Sequence, residues 1–287
     1  MRFLQDRFRV AYEAFYRFVA DDGWAIASHI ALSALMSMFP FLILVTALAG
    51  FFGTKELADE VGRILLEAWP EQVAAPIASE IHTVLTIARG DVLTFGALLA
   101  VYFSSSGIES LRIGLNRAYG VIETRSWWLT RLESIGYVLV GAVALLALAF
   151  LVVLGPLIFF TAVRYVRWLE PLWPIVTFVR FAVASLLLIV ALILVHLWLP
   201  AGRRSLSEIA PGVIATLILW LLAGGLFGRY LSEFAETYVT YYAGMASVMV
   251  ALVFLYLTAS IFLYGGELNA AIKRARQERI PKAAEIS

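Results

Sequence analysis

Cysteine is absent from this chain of 287 residues, and charged residues are scarce. Without cysteine there is no disulfide, no thiolate metal site and no cysteine nucleophile. The three histidines (His29, His82 and His196) are far apart in the sequence and form no metal-ligand motif, so no metal or other cofactor is implied. Charged residues make up 15% of the chain, whereas 62% is hydrophobic. A soluble domain of this composition would lack a polar surface, which excludes the ordinary soluble classes.

Long hydrophobic runs are what the chain has instead. The hydrocarbon core of a bilayer is about 30 Å thick, so a spanning helix needs roughly 20 mainly apolar residues. Six runs meet this requirement and leave no connection long enough for a separate folded domain. The sequence therefore predicts an all-α polytopic membrane protein with one six-helix membrane domain over 28–273. The six predicted spans lie at about 28–52, 92–112, 134–162, 175–199, 208–229 and 245–267.

Three segments outside the spans have their own character. Residues 1–27 are predicted to hold an interfacial amphipathic helix on the cytoplasmic side, whose apolar face includes Phe8, Tyr12 and Phe15. Packing of this helix beneath the bundle is the alternative. The first outward connection, 54–91, repeats apolar residues at helical spacing and predicts short amphipathic helices that cap the outer face. Residues 274–287 are predicted to form a charged cytoplasmic tail.

The distribution of basic residues predicts the orientation. Lys and Arg concentrate in the cytoplasmic loops of membrane proteins. With six spans, fifteen of the 22 Lys and Arg residues fall on the side of the two termini and seven on the other side. Both termini are therefore predicted to be cytoplasmic. Arg164 and Arg167, in the connection 163–174, lie on the side that this rule disfavours.

Polar residues at the cytoplasmic ends of spans two and six are candidates for function, because charged groups in membrane helices are costly. Glu109, Arg112 and Asn116 share one face of a helix at i, i+3 and i+7. A polar vestibule that admits a solute or a proton is one interpretation. The other is that the carboxylates fix helix ends through ion pairs with Arg112, Arg203, Arg204 or Lys273. The vestibule candidates are Glu109, Arg112, Asn116, Glu267, Asn269, Ser104, Ser105 and Ser106.

Two prolines are candidates for conformational change. Pro40 lies near the middle of span one, and Pro211 lies near the start of span five. Proline removes a backbone donor and kinks a helix, which membrane helices tolerate when neighbours satisfy the freed carbonyl. A static kink is the alternative.

Several segments resemble one family. ASHIALSALMSMFPFLILV, FSSSGIESLRIGLNRAYG and YYAGMASVMVALVFLYLTASIFLYGGELNAAI together are similar to the YihY/BrkB family of bacterial inner-membrane proteins. The resemblance covers roughly residues 10–273, and GGELN is its most specific part. It implies a six-helix inner-membrane protein of obscure function, linked to serum resistance and envelope properties. A ribonuclease label also accompanies the family, but RNA cleavage needs clustered metal ligands or a positioned acid–base pair, and the sequence shows neither.

The preferred function is a transporter or flippase-like exporter of an envelope-related amphipathic or anionic solute, and not an enzyme. Its expected partners are the lipid bilayer and an unidentified small-molecule or lipid-like solute, with no nucleic acid; homo-oligomerisation is left open. A non-transporting envelope scaffold is the main alternative. An intramembrane lipid-modifying enzyme is a third hypothesis, with Ser104–Ser106 beside Glu109 as its candidate group.

Overall fold

A computed structural model describes residues 2–51, 90–242 and 246–284. Within these ranges the chain is helical and contains no strand, which confirms the predicted all-α class. The predicted outer cap over 54–91 lies almost entirely outside the described residues. The helices are α1 (Arg2–Ala20), α2 (Gly23–Phe51), α3 (Gly90–Ala118), α4 (Trp127–Tyr165), a 3₁₀ helix (Arg167–Leu172), α5 (Trp173–Trp198), α6 (Leu206–Tyr242) and α7 (Ala246–Ala284).

Five segments in these helices are long and apolar enough to cross a membrane. They occur in α2, in α4, in the 3₁₀ helix with α5, in α6 and in α7. The predicted second span, 92–112, lies in α3, which is not among them over its described residues, so six spans stays a prediction. The five segments are Gly23–Leu42, Trp127–Leu148, Glu170–Trp198, Leu206–Glu233 and Val248–Glu278.

A tight turn joins α1 to α2. The N–H of Asp21 donates to the carbonyl of Arg17 at 2.8 Å, and Asp22 adopts a left-handed φ of 57°. Aspartate tolerates this region better than most residues. The chain then enters α2 directly at Gly23, where a Cβ atom would collide with the Phe18 ring. The first membrane helix therefore begins before the predicted boundary at residue 28.

The described residues form two compact units. The first comprises those of 1–35, 107–130 and 191–287, and the second those of 36–106 and 131–190. In the first unit α7 packs against both α6 and α1. Its interior includes the fully buried side chains of Leu115, Leu199 and Ile209.

Glycines let α6 and α7 approach closely. A Cβ atom on Gly212 would collide with the carbonyl oxygen of Gly265, and one on Gly265 would collide with the Thr216 hydroxyl. Small residues permit this kind of backbone approach between membrane helices. Gly224 and Gly228, whose spacing in the sequence also allows close packing, have no described atom within 4 Å of an added Cβ. The close contact therefore lies nearer the start of α6.

The two faces of α1 differ. Ala14 and Phe18 are buried, and Glu13 accepts a hydrogen bond at 3.3 Å from Arg274 of α7. Phe8 is 76% exposed and Tyr12 is also exposed. The helix is thus held to the first unit by one side and leaves aromatic rings on the other.

Candidate functional site

The end of α3 places Tyr119 at the centre of a polar network in the first unit. The N–H of Gly120 donates to the carbonyl of Arg117, and the N–H of Val121 donates to that of Asn116, both at 2.9 Å. Gly120 has a φ of +62°, which glycine adopts without steric cost. Together these features form a Schellman motif. The helix ends sharply at Ala118, with Tyr119 as its C-cap residue.

The phenol of Tyr119 links α5 and α7. The Nδ2 of Asn269 donates to the Tyr119 oxygen at 3.1 Å, and that oxygen lies 2.9 Å from His196 Nδ1. The Oδ1 of Asn269 accepts from the backbone N–H of Gly212 in α6 at 2.6 Å, which fixes the orientation of the amide. With His196 protonated on Nε2, the Tyr119 hydroxyl donates to His196 Nδ1. One amide and one phenol thereby connect α3, α5, α6 and α7.

Arg204 covers this group from the connection between α5 and α6. Its guanidinium lies 4.0 Å above the Tyr119 ring and donates at 3.0 Å to the carbonyl of Ala201. Burial raises the pKa of Tyr119 to about 12, although the hydrogen bond from Asn269 opposes the rise. Burial also lowers the pKa of Arg204. Tyr119 consequently stays a neutral hydrogen-bond donor at physiological pH.

Glu123 organises the connection between α3 and α4. Its two carboxylate oxygens accept from Nε and Nη2 of Arg125, each at 2.8 Å, and one also accepts from Asn116 Nδ2 at 3.1 Å. The Arg125 side chain is the main cause that lowers the pKa of Glu123 to about 2. Asn116 Oδ1 also accepts from the N–H of Ala201 at 2.7 Å, and Arg125 donates to the carbonyl of Leu199 at 2.8 Å. These bonds tie the 119–126 connection to the 199–205 connection.

Arg112 is buried, with only 5% of the residue exposed. It forms an ion pair with Glu109, donates to the carbonyl of Thr130 at 2.8 Å and lies 3.7 Å from Glu123. The predicted shared face of Glu109, Arg112 and Asn116 is therefore used inside the chain. Buried charges are stable in proteins when they are paired in this way.

The glutamate half of a capping box begins α6. The N–H of Ser205 donates to Glu208 at 2.9 Å, and Glu208 also lies 3.1 Å from the ammonium of Lys273 in α7. A carboxylate three residues after the N-cap commonly satisfies the free donors at a helix start. Of the ion pairs that the sequence suggested for the cationic candidates, those of Arg112 and Lys273 are present. Arg204 instead binds backbone carbonyls and the Tyr119 ring.

Glu267 differs from all of these residues. It is only 2% exposed, and its Oε2 atom is enclosed without a hydrogen-bond partner in the described part of the chain. Its electrostatic neighbours are Arg17 of α1, Asp21 in the turn after α1, Arg117 of α3 and Arg274 of its own helix. The adjacent Gly266 packs against Ala118 and Leu115, which brings the end of α3 close to this turn of α7. Within the described ranges, the carboxyl is thus buried near charged groups without forming an ion pair with one.

The remaining candidates lie in other surroundings. Ser104 and Ser105 belong to the second unit, where they donate to the carbonyls of Ala100 at 2.6 Å and Tyr102 at 2.7 Å. Ser106 accepts from Arg131 at 3.4 Å in the same unit. Pro40 lies inside α2 and Pro211 inside α6. Since Pro211 has no N–H, the next donor along the chain is Gly212, which Asn269 satisfies.

The comparisons with known proteins decide the family. A family model described as Virulence factor BrkB matches residues 14–286. The chain belongs to the BrkB family. It is 27% identical over 265 residues to the ribonuclease-like protein YfkH of Bacillus subtilis (strain 168), covering 92% of this chain and 95% of that protein. It is 26% identical over 280 residues to a UPF0761 membrane protein of Rhodospirillum centenum (strain ATCC 51521 / SW), covering 96% of this chain but 60% of that protein. No solved structure matches.

Family membership and several apolar helices together identify a multi-pass membrane protein. In this BrkB-family chain the polar residues predicted for the cytoplasmic ends of spans two and six lie in α3 and α7, and α7 continues beyond them to Ala284. The sequence pattern did not single out Tyr119 or Glu123. The Tyr–Gly step that ends a helical pattern was the available signal for Tyr119. His196 is fully buried and hydrogen-bonded to Tyr119, and its Nε2 has no partner among the described residues.

Proposed function

We propose that this BrkB-family protein is a transporter or flippase-like exporter of an envelope-related amphipathic or anionic solute. It acts in the bacterial cytoplasmic membrane with both termini in the cytoplasm. The observation that supports the proposal is the enclosed carboxyl of Glu267 in a helix apolar enough to span the membrane. Polar groups at such positions are costly and usually serve a pathway for a solute or an ion.

The other vestibule candidates shape the opening next to Glu267 in this proposal. Glu109, Arg112, Asn116 and Asn269 hold the ends of α3, α4, α6 and α7 in register through the bonds described above. A fixed frame around one unpaired acid allows the acid to change its state while its surroundings stay folded. Pro40 and Pro211 would allow α2 and α6 to bend when the path opens on the other side.

A scaffold without transport is the second proposal, and one observation favours it. Four of the candidate residues have strong partners within the chain, as expected of groups that stabilise a helix bundle. In that case Glu267 would be buried for packing alone. Replacement of Glu267 would then change the stability of the protein and no transport activity.

The proposed function does not include RNA cleavage, although the Bacillus subtilis relative is named ribonuclease-like. The part of the chain that the structure describes contains no group of three or more His, Cys, Asp or Glu side chains able to hold a metal ion. The network around Tyr119 is used for contacts between helices, and its basic residues bind backbone carbonyls and carboxylates of the same chain. An enzymatic reaction is therefore not proposed.

Lipid translocation in reconstituted vesicles tests the proposal. The probe is fluorescent NBD-phosphatidylglycerol, an anionic amphipath, and dithionite added outside reports how fast the probe crosses the bilayer. We expect the wild-type protein to accelerate crossing and Glu267→Gln to slow it by about tenfold or more. Glu233→Gln, at an exposed glutamate of α6, is the matched control and should behave as wild type.

Thermal unfolding of the same three proteins separates the two proposals. Glutamine keeps the shape of the side chain and carries no charge, so Glu267→Gln should unfold at or above the wild-type temperature. Loss of translocation with intact folding supports transport. Crossing no faster than in protein-free vesicles contradicts export of this anionic amphipath. Loss of folding with Glu267→Gln favours the scaffold.

A further inference from the structure

Two ion pairs involve the charged neighbours of Glu267. Nε of Arg117 in α3 lies 3.6 Å from Oδ1 of Asp21 at the end of α1, and Nε of Arg274 in α7 lies 3.3 Å from Oε1 of Glu13 in α1. Arg17 lies 3.8 Å from the same Glu13. Every cation near Glu267 therefore already has an acidic partner on α1. Glu267 is the one acid of this group without an ion pair among the described residues.

Arg274 has the complementary feature. It follows Glu267 by seven residues, so the two lie on the same face of α7, roughly 10 Å apart along the helix axis. The Nη2 atom of Arg274 is enclosed and, like Glu267 Oε2, has no hydrogen-bond partner among the described residues. Ala270 and Ala271, both buried, occupy the turn between them. The same face thus carries an enclosed acid oxygen and an enclosed donor, separated by small side chains.

A single carboxyl in this setting suits a proton better than a metal cation. Hard cations such as Ca²⁺ take six to eight oxygen ligands, and Mg²⁺ needs six. The other acid that acts on Glu267 electrostatically, Asp21, is engaged by Arg117. In contrast, one carboxyl oxygen suffices to bind one proton, and the neutral acid avoids burying an unpaired charge.

We propose that Glu267 is the proton-binding group of this membrane domain and that α1 responds to its charge. Neutral Glu267 leaves the pairs Asp21–Arg117 and Glu13–Arg274 intact. Once it loses its proton, the carboxylate attracts Arg117, Arg274 and Arg17, and so competes with the acids of α1 for the same cations. Deprotonation thereby weakens the attachment of α1 to α3 and α7. This inference rests on the proposed function, since it names the ion that drives it.

Labelling with dicyclohexylcarbodiimide tests the proton site without any transported solute. The reagent forms a stable adduct with protonated carboxyls in apolar surroundings, and peptide mass spectrometry locates it. We expect an adduct on Glu267 in the purified protein that declines as the pH rises from about 5 to about 9. Glu267→Gln should lose this adduct, and Glu233, which is exposed and paired with Arg229, should stay unlabelled.

Substitutions of two charged neighbours of Glu267 test the direction in which the pH midpoint of labelling moves. Asp21→Asn removes a negative neighbour and should move the midpoint of labelling to lower pH, whereas Arg274→Gln removes a positive neighbour and should move it to higher pH. A recovered α7 peptide without adduct, an adduct independent of pH, or midpoints that ignore both variants would overturn the proton site. Protection by sodium chloride but not potassium chloride would overturn it in favour of a sodium site. Labelling as expected without lipid translocation would instead reject only the proposed solute.

Discussion

Two residues on the same turn of α7 show how differently a polar group can be buried. Asn269 offers an acceptor to Gly212 and a donor to Tyr119, so both ends of its amide are satisfied. Glu267, two residues earlier, is equally buried and has neither. An unsatisfied buried group costs stability, whereas a satisfied one contributes to it. We therefore assign Asn269 to folding and Glu267 to function.

Replacement of Asn269 should test the first half of that assignment. Asn269→Ala leaves the N–H of Gly212 and the phenol of Tyr119 without their partner. We expect the free energy of unfolding to fall by about 1–3 kcal/mol, the cost of leaving a buried donor unpaired. Thermal unfolding in detergent measures it, with Gln277→Ala on the exposed face of α7 as the control. Equal unfolding temperatures for the two variants would contradict this role.

Glu123 should make stability depend on pH in the acid range. In the folded protein, mainly because of Arg125, the pKa of Glu123 is lowered from its ordinary value of 4.5 to about 2. The carboxylate therefore stabilises the fold fully above pH 4.5, and the contribution is lost as the pH falls toward 2. We expect Glu123→Gln to lower the free energy of unfolding at neutral pH by about 1.5 kcal/mol, the low end for charged hydrogen bonds because water reaches the site.

The check on Glu123 is a pair of unfolding curves measured between neutral and acid pH. The difference between wild type and Glu123→Gln should be constant above pH 4.5 and shrink toward zero near pH 2. A difference that stays the same over the whole range would mean that charge is not its source.

At the scale of elements, the pairing of α6 with α7 depends on backbone proximity near Pro211. Gly212 and Gly265 meet there, and Asn269 bridges the two helices beside them. Further along α6, the Nε1 of Trp220 donates to the carbonyl of Thr258 in α7 at 3.0 Å. The pair is thus fixed at two levels along its length.

Alanine substitutions distinguish the closely packed part of the contact between α6 and α7, at Gly212, from the open region at Gly224. Gly212→Ala would place Cβ against the carbonyl oxygen of Gly265, backbone that cannot move aside cheaply, and should destabilise the protein by about 1–3 kcal/mol. Gly224→Ala, in the same helix, meets no described atom within 4 Å and should be neutral or slightly stabilising. Unfolding temperatures of the two variants provide the measurement. A larger loss for Gly224→Ala would contradict the packing described.

Sequence patterns predicted the elements better than their contacts. Apolar runs are local, so the all-helical class could be recognised directly, but several helix bounds could not. α6 continues to Tyr242 and α7 to Ala284, beyond the predicted ends of spans five and six. The partners of Tyr119 are 77 and 150 residues away in the sequence. No local pattern encodes those distances. Polar residues in α3 and α7 could therefore be singled out, but which of their groups are satisfied depends on packing.

For the whole molecule, orientation in the membrane is the property on which the proposed transport depends. The count of basic residues predicts that both termini are cytoplasmic, but Arg164 and Arg167 lie on the side that the same rule disfavours. Charges within short loops bias orientation without determining it alone. The side of the membrane on which the connection 163–174 lies is therefore the strictest test of the predicted topology.

The natural absence of cysteine makes that test direct, because single cysteines can be introduced without removing others. We expect a membrane-impermeant maleimide to label Arg167→Cys in right-side-out vesicles of a bacterial host and to label Gln277→Cys only in inside-out vesicles. Both positions are exposed, so access from each side, rather than burial, decides the reaction. Labelling of Gln277→Cys from outside would mean that the C-terminal end of α7 lies outside the cell, which contradicts the predicted topology and the direction of the proposed export. The predicted topology has three membrane crossings between the 3₁₀ helix and the end of α7. Labelling of both cysteines from the same side would mean that the number of crossings there is even.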